Sequence, residues 1–261
     1  MVKRSIFGLI YLGGSWWYLH ERKEGDWITH ENKSGRKKSF IKEAIEGLLQ
    51  HLKEYDMFVT CRAAEELGEF LKKTKDRGGA PRLTKDEANE LGGIMSALDK
   101  TFQAEAKGIH SFFTTDKRIS VDKLTTKHEA LFPQGVFNEL PEIAKHDVKE
   151  AGMCIAFERS TAAAFHILRA TEEVLRKFYC RVVKQKRVKT LNWGNITADW
   201  VKKRKRPSTT TFGNLDYIRE NFRNPTIHPE ARYDIEGAQS LFNLCTDVIS
   251  KMISDPLWKK G

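Results

Sequence analysis

The feature that most constrains the fold is the regular spacing of apolar residues in the C-terminal half. Small or apolar residues recur at alternating steps of three and four over residues 161–179, and again over residues 235–252. This period matches one face of an α-helix, and two such seams are typical of helices packed in a bundle. Two further helices are predicted over about 141–155 and 212–223. The pattern therefore predicts a C-terminal antiparallel four-helix bundle over residues 136–261 in a mainly α protein.

The N-terminal region, residues 1–135, is also predicted to be mostly helical. Apolar residues recur at helical steps from Ser39 onward. Thr84 followed by Glu87 forms a capping-box pattern, which predicts that another helix begins there. A clear turn signal at 132–135 separates this region from the bundle. The sequence therefore predicts two domains with a boundary after residue 135.

The first residues differ from this helical pattern. Residues 1–37 are rich in aromatic side chains and favour a short β-hairpin. Their apolar stretch, 5–19, is about fifteen residues long, against roughly twenty for a membrane-spanning helix, and lacks the cleavage site of a signal peptide. The four cysteines form no CxxC pair, which excludes a zinc ribbon and disfavours a disulfide scaffold. These features predict a cytoplasmic protein without a membrane partner.

One short segment carries almost all of the net positive charge. The 261-residue chain has a formal charge of +10, of which residues 181–206 contribute +9. Such a concentration of cations favours a polyanionic partner, and we predict RNA. Trp193 and Trp200 lie in this segment, where they either stack on bases or belong to the core, the more frequent role of tryptophan. The predicted nucleic-acid-binding residues are Lys184, Lys186, Arg187, Lys202, Lys203, Arg204, Lys205 and Arg206.

A loop between the last two predicted helices holds an arginine, an asparagine and a histidine. Because Pro225 disfavours helical geometry at Asn224, the preceding helix is predicted to end near Arg223. Pro229 likewise restricts His228 to an extended backbone. A guanidinium can bind and neutralise a phosphate, and an imidazole can move protons near neutral pH. In the alternative interpretation, the arginine caps the helix end and the histidine bonds to backbone.

The sequence of residues 223–228, Arg-Asn-Pro-Thr-Ile-His, resembles the R-x4–6-H signature of the HEPN superfamily (higher eukaryotes and prokaryotes nucleotide-binding). That signature lies between the last two helices of a four-helix bundle, as here. Residues 163–172 also resemble the second helix of such bundles, and the resemblance covers about 140–255. A second match to the signature, Arg159-x6-His166, has no asparagine after its arginine and is interpreted as a chance match.

This resemblance implies a metal-independent endoribonuclease that needs no cofactor. In such enzymes the RNA 2′-hydroxyl attacks the adjacent phosphate to give a 2′,3′-cyclic phosphate, and two protomers bring their Arg–His sets into one cleft. The resemblance assigns proton transfer to His228, stabilisation of the phosphorane to Arg223, and orientation of the phosphate or the loop to Asn224. Arg169 and Glu172 are candidates for a supporting ion pair, with an ordinary surface pair as the alternative.

The combined prediction is a homodimeric endoribonuclease with a composite active site, acting as a toxin or antiphage (abortive-infection) effector. Residues 1–135 would then serve regulation, sensing or dimerisation. One alternative is a non-catalytic HEPN-like module that binds RNA or nucleotides. Another is a helical partner-binding protein, such as one member of a toxin–antitoxin pair. An antitoxin or a defence-system protein is the corresponding candidate partner.

Overall fold

The computed structural model describes residues 4–29, 40–75, 81–109, 113–183, 188–201, 207–228 and 231–259. The protein is mainly helical over these ranges. Extended pairing within them is limited to a single isolated bridge between Trp27 and Arg82. The chain divides into two compact units, residues 1–112 and 113–261. None of the helices in the described ranges has both the length and the apolar character needed to cross a bilayer.

The first unit is built from five helices in its described ranges. The helical steps that begin near Ser39 are confirmed, because α2 buries the predicted apolar residues in the core of this unit. The capping box is confirmed as well, with the Thr84 side chain accepting from the Glu87 backbone N–H. These helices are α1 (Ile6–His20), α2 (Ile41–Glu54), α3 (Phe58–Ala63), α4 (Glu65–Lys75) and α5 (Lys85–Ala106).

The β-hairpin predicted for the start of the chain is wrong where the structure describes it. Residues 6–20 form α1, and the Ser5 hydroxyl accepts from the backbone N–H of Phe7. Packing overrides the β propensity of the aromatic residues, because the helix buries Leu12 and Leu19 in the core of the first unit. The bridge at Trp27 is too short to form a hairpin.

The second unit is organised around α8, which packs against both α7 and α12. Both predicted seams are confirmed as buried faces of α8 and α12. Asp234 caps α12 as predicted, accepting from the Gly237 backbone N–H at 2.7 Å. The helices described in this unit are α6 (Val121–Thr125), α7 (Glu142–Ala156), α8 (Ser160–Val182), α9 (Trp193–Val201), α10 (Thr209–Ile218), α11 (Asn224–Ile227), α12 (Ile235–Ser254) and α13 (Pro256–Lys259).

The division between the two units falls after residue 112, earlier in the sequence than the predicted boundary after residue 135. Leu124, Phe132 and Leu140 belong to the core of the second unit. Gly152 on α7 lets this segment approach closely, because a Cβ there would lie 2.5 Å from the Leu124 carbonyl oxygen. The turn at 132–135 is therefore a bend within the second unit.

Candidate active site

The segment that carries Arg223 contains a π-helical turn. This turn, Arg219–Arg223, follows α10 directly and continues into α11. The Asn224 N–H bonds to the Arg219 carbonyl five residues earlier, and Asn224 is helical at φ −63°, ψ −50°. The prediction that Pro225 ends the helix near Arg223 is therefore wrong. A proline ring normally clashes with the carbonyl four residues before it, and the wider π turn accommodates the ring.

The helix ends instead at Ile227, and the prediction for His228 is confirmed. His228 has an extended backbone at φ −86°, ψ 142°, as expected for a residue that precedes a proline. Its N–H donates to the Asn224 carbonyl at 3.3 Å. The side chains of Asn224 and His228 are both exposed. The helix end at residues 223–228, called the Arg223–His228 loop below, thus presents an amide and an imidazole to solvent.

A hydroxyl pair braces this loop. Thr226 Oγ1 lies 2.8 Å from the Tyr233 hydroxyl and donates to the Phe222 carbonyl at 2.6 Å. The Tyr233 N–H donates to the Thr161 hydroxyl at the start of α8, at 3.3 Å. Burial raises the pKa of Tyr233, so its hydroxyl keeps its proton over the physiological range. These bonds tie both sides of the loop to the helical scaffold.

Glu172 on α8 holds the Arg223 guanidinium. Its Oε2 lies 3.3 Å from Arg223 Nη2 and 3.4 Å from Nε. The Arg223 side chain is 25% exposed and that of Glu172 13% exposed, so the pair is screened less than a surface pair. Glu172 Oε1 contacts Arg176 Nη2 at 3.0 Å and accepts from the Trp193 N–H at 3.3 Å. Two guanidiniums therefore share this carboxylate.

Arg169 does not form the predicted ion pair with Glu172. Its Nε lies 3.4 Å from Asp147 Oδ2 on α7, while Glu172 contacts Arg176 and Arg223. Asp147 and its other partner, His166, were not among the predicted site residues; His166 Nδ1 lies 2.8 Å from Asp147 Oδ1. A sequence signal existed, because Asp147 occupies an apolar register of α7, where an acid indicates a buried partner.

The basic segment is only partly described. Between its two cationic ends lies α9, whose Trp193 and Trp200 are fully buried. The Trp200 ring packs against Phe178 and Tyr179 of α8, with centroids 5.7 Å apart in both cases. The two tryptophans are therefore core residues and not base-stacking platforms. The predicted nucleic-acid-binding residues lie outside the described residues: Lys184, Lys186, Arg187, Lys202, Lys203, Arg204, Lys205 and Arg206.

Comparison with known proteins adds no identification. No protein-family model, no curated protein and no solved structure matches the chain. Within the described ranges, no three His, Cys, Asp or Glu side chains cluster closely enough to hold a metal ion. The anchored guanidinium can bind a phosphate, and the exposed imidazole can exchange a proton with the molecule that carries that phosphate.

Proposed function

We propose that the protein is a metal-independent endoribonuclease of the HEPN type, with Arg223, Asn224 and His228 as its active-site residues. The observation that carries this proposal is the anchoring of Arg223 by Glu172 beside a braced loop that exposes His228. A guanidinium held in place loses little entropy when it binds a phosphate. The exposed imidazole can reach a substrate that lies across the loop.

The reaction is transesterification within the RNA strand. The 2′-hydroxyl loses its proton and its oxygen bonds to the adjacent phosphorus, while the bond from phosphorus to the 5′-oxygen breaks and that oxygen gains a proton. His228 transfers one of these protons, and Arg223 stabilises the extra negative charge of the phosphorane. Asn224 donates from its amide to orient the phosphate. The products are a 2′,3′-cyclic phosphate and a 5′-hydroxyl.

The proposal includes a HEPN-like four-helix bundle and a homodimer. The four helices would be α7, α8, α10 extended by α11, and α12. The packing of α8 against α7 and α12, and of α10 against α12, supports this arrangement. In the dimer, two exposed His228 side chains would line one cleft with their arginines and enclose the RNA. Such an enzyme would act as a toxin or antiphage effector in the cytoplasm, with an antitoxin or defence-system protein as its partner.

Cleavage of a single-stranded RNA by the purified full-length protein, with a chelator present, tests the proposal. Wild type is expected to cleave, and Arg223→Ala and His228→Ala are each expected to slow cleavage by about 10²-fold or more. Arg176→Ala is the matched control, since it removes the other guanidinium on Glu172. We expect this control to cleave within about threefold of wild type. Circular dichroism checks that each variant is folded.

The outcomes separate the proposed function from its alternatives. Cleavage that survives both Arg223→Ala and His228→Ala would place the reaction elsewhere and refute the site. Wild type that binds RNA tightly without cleaving it would favour the non-catalytic RNA-binding module. Growth arrest on expression in a bacterial host, relieved by His228→Ala, would support the toxin role.

A further inference from the structure

A second cluster of polar side chains lies on α8, beside the Arg223 site. His166, Arg169 and Glu172 follow one another at steps of three residues, which is slightly less than one helical turn each. Glu172 contacts Arg223, whereas His166 and Arg169 both contact Asp147 on α7. The stripe therefore joins two different clusters, and the proposed ribonuclease chemistry uses only the one at Glu172.

Asp147 is the buried member of the second cluster. Its side chain is 0% exposed and lies on the same face of α7 as the buried apolar residues Ala144, Val148 and Ala151. Its Oδ1 lies 2.8 Å from His166 Nδ1. Its Oδ2 lies 3.4 Å from Arg169 Nε but has no well-aligned hydrogen bond within the described residues. A buried carboxylate is costly unless it is paired, so an acid at this position indicates a role beyond packing.

The contacts to Asp147 leave the outer nitrogens of both partners available. Asp147 contacts Nδ1 of His166 and Nε of Arg169. In the described part of the chain, His166 Nε2 and the two Nη atoms of Arg169 contact no other polar side chain. Arg169 is 51% exposed and His166 is partly exposed. Three nitrogens on the two side chains can therefore face a single anion, while the carboxylate behind them fixes their orientation.

An exposed aromatic ring lies next to these donors. The Phe165 ring centroid is 5.9 Å from the Arg169 guanidinium carbon and 6.2 Å from the His166 ring centroid. Phe165 is 43% exposed on a helix whose other faces are largely buried. An exposed aromatic ring beside cationic donors suits a ligand that has both an anionic group and a planar base.

We propose that His166 and Arg169, oriented by Asp147, bind the phosphate of a nucleotide whose base stacks on Phe165. The imidazolium donates from Nε2, and the guanidinium donates from its two Nη atoms as a bidentate fork. The nucleotide is either part of a nucleic-acid strand or free in solution, because the recognised chemistry is the same. This site does not require the protein to cleave RNA, and a non-catalytic protein would have it as well.

Histidine-selective NMR of the full-length protein at about pH 6 tests this site. The probes are inorganic phosphate, adenosine monophosphate and a short 2′-O-methyl oligonucleotide that cannot be cleaved. We expect a saturable shift of the ring signal that disappears in His166→Gln. Arg169→Gln should weaken phosphate binding by about tenfold or more. Lys177→Gln, which removes an exposed cation elsewhere on α8, should leave the affinity unchanged.

The three probes distinguish the two sources of the phosphate. Tighter binding of the oligonucleotide than of the mononucleotide would support a strand, and the reverse order would support a free nucleotide. A phosphate-dependent shift that Arg169→Gln and Lys177→Gln weaken equally would overturn the site, as would a wild-type His166 signal that does not respond to any probe. Because Arg169 is half-exposed, its replacement tests the site even if His166→Gln fails to fold.

Discussion

The two arginine–histidine pairs of the second unit differ in which member is held. In the pair Arg223–His228, the arginine is anchored by Glu172 and the histidine is exposed on a loop. In the pair Arg169–His166, the histidine is held by buried Asp147 at 2.8 Å and the arginine is half-exposed. In sequence the first pair reads Arg-x4-His, whereas in the second pair the histidine precedes the arginine by three residues on one helix, and the two pairs occupy different environments.

This difference bears on what each histidine can do. A carboxylate on Nδ1 fixes the direction of the His166 ring, which suits repeated binding of one anion. The His228 ring is not fixed in this way by the described residues, so it needs a substrate or a second copy of the chain to position it. In our proposals, His166 therefore binds an anion and His228 transfers a proton.

The largest expected effect contrasts the two histidines in catalysis. His228→Ala should lower kcat for RNA cleavage by about 10²–10³-fold, because it removes the group that transfers the proton. His166→Ala should lower kcat by less than about tenfold, and it should raise KM if the phosphate at His166 belongs to the RNA strand. Steady-state kinetics on a fluorogenic RNA measures both constants. A larger loss of kcat in His166→Ala would reverse the assignment of the two pairs.

The effects of the two histidine substitutions on stability should have the opposite order, with the larger effect at His166. His166→Ala is expected to lower the free energy of unfolding by about 2–3 kcal/mol, because it leaves Asp147 buried with only the distant Arg169 contact. His228→Ala should change it by less than about 0.5 kcal/mol, since the side chain is exposed. Urea denaturation measures both values. Adding Asp147→Asn to His166→Ala should cost less than the sum of the single changes, and strict additivity would argue against coupling of the pair.

Glu172→Gln tests whether the Glu172 carboxylate positions the Arg223 guanidinium. The neutral amide holds the guanidinium less firmly, so kcat should fall by about tenfold. KM should not rise, because a less neutralised Arg223 attracts the phosphate at least as strongly. Arg176→Ala, on the same carboxylate, serves as the control. A rise in KM with unchanged kcat would show that Glu172 acts in binding and not in positioning.

The smallest expected effect concerns the hydrogen bond between Thr226 and Tyr233. Tyr233→Phe loses the bond to Thr226 and should lower the free energy of unfolding by about 1 kcal/mol. Burial raises the folded-state pKa of Tyr233 above the unfolded value of about 10. Its contribution is therefore complete below about pH 10 and is lost as the pH rises through the folded-state pKa. Unfolding at about pH 8 and about pH 11 should show a shallower alkaline decline in the variant; an equal decline would contradict this assignment.

Much of the helical framework could be predicted because it depends on local patterns. The seams of α8 and α12, the capping box at Thr84 and the cap at Asp234 each follow from residues a few positions apart. The extended backbone at His228 follows from Pro229 alone. Such features need no knowledge of which helices pack together.

The features that the sequence did not reveal depend on packing between elements. The π turn before Pro225 is joined to Tyr233 through Thr226, which contacts both the Phe222 carbonyl and the Tyr233 hydroxyl. The Asp147–His166 pair joins two helices, so the apolar surroundings of Asp147 on α7 indicate a buried partner but not which residue it is. The helical state of residues 6–20 depends on burial against other helices of the first unit. Each case requires the positions of residues that are distant in sequence.

We propose that the Arg223–His228 loop cleaves RNA by directing the 2′-hydroxyl of the RNA at its adjacent phosphate. The chemical form of the RNA ends tests this proposal most directly. Mass spectrometry of fragments made by the wild-type protein in the presence of a chelator identifies those ends. We expect 2′,3′-cyclic phosphate and 5′-hydroxyl ends, which should disappear with His228→Ala. Fragments with 3′-hydroxyl ends, or RNA that stays intact with the folded wild-type protein, would contradict the claim.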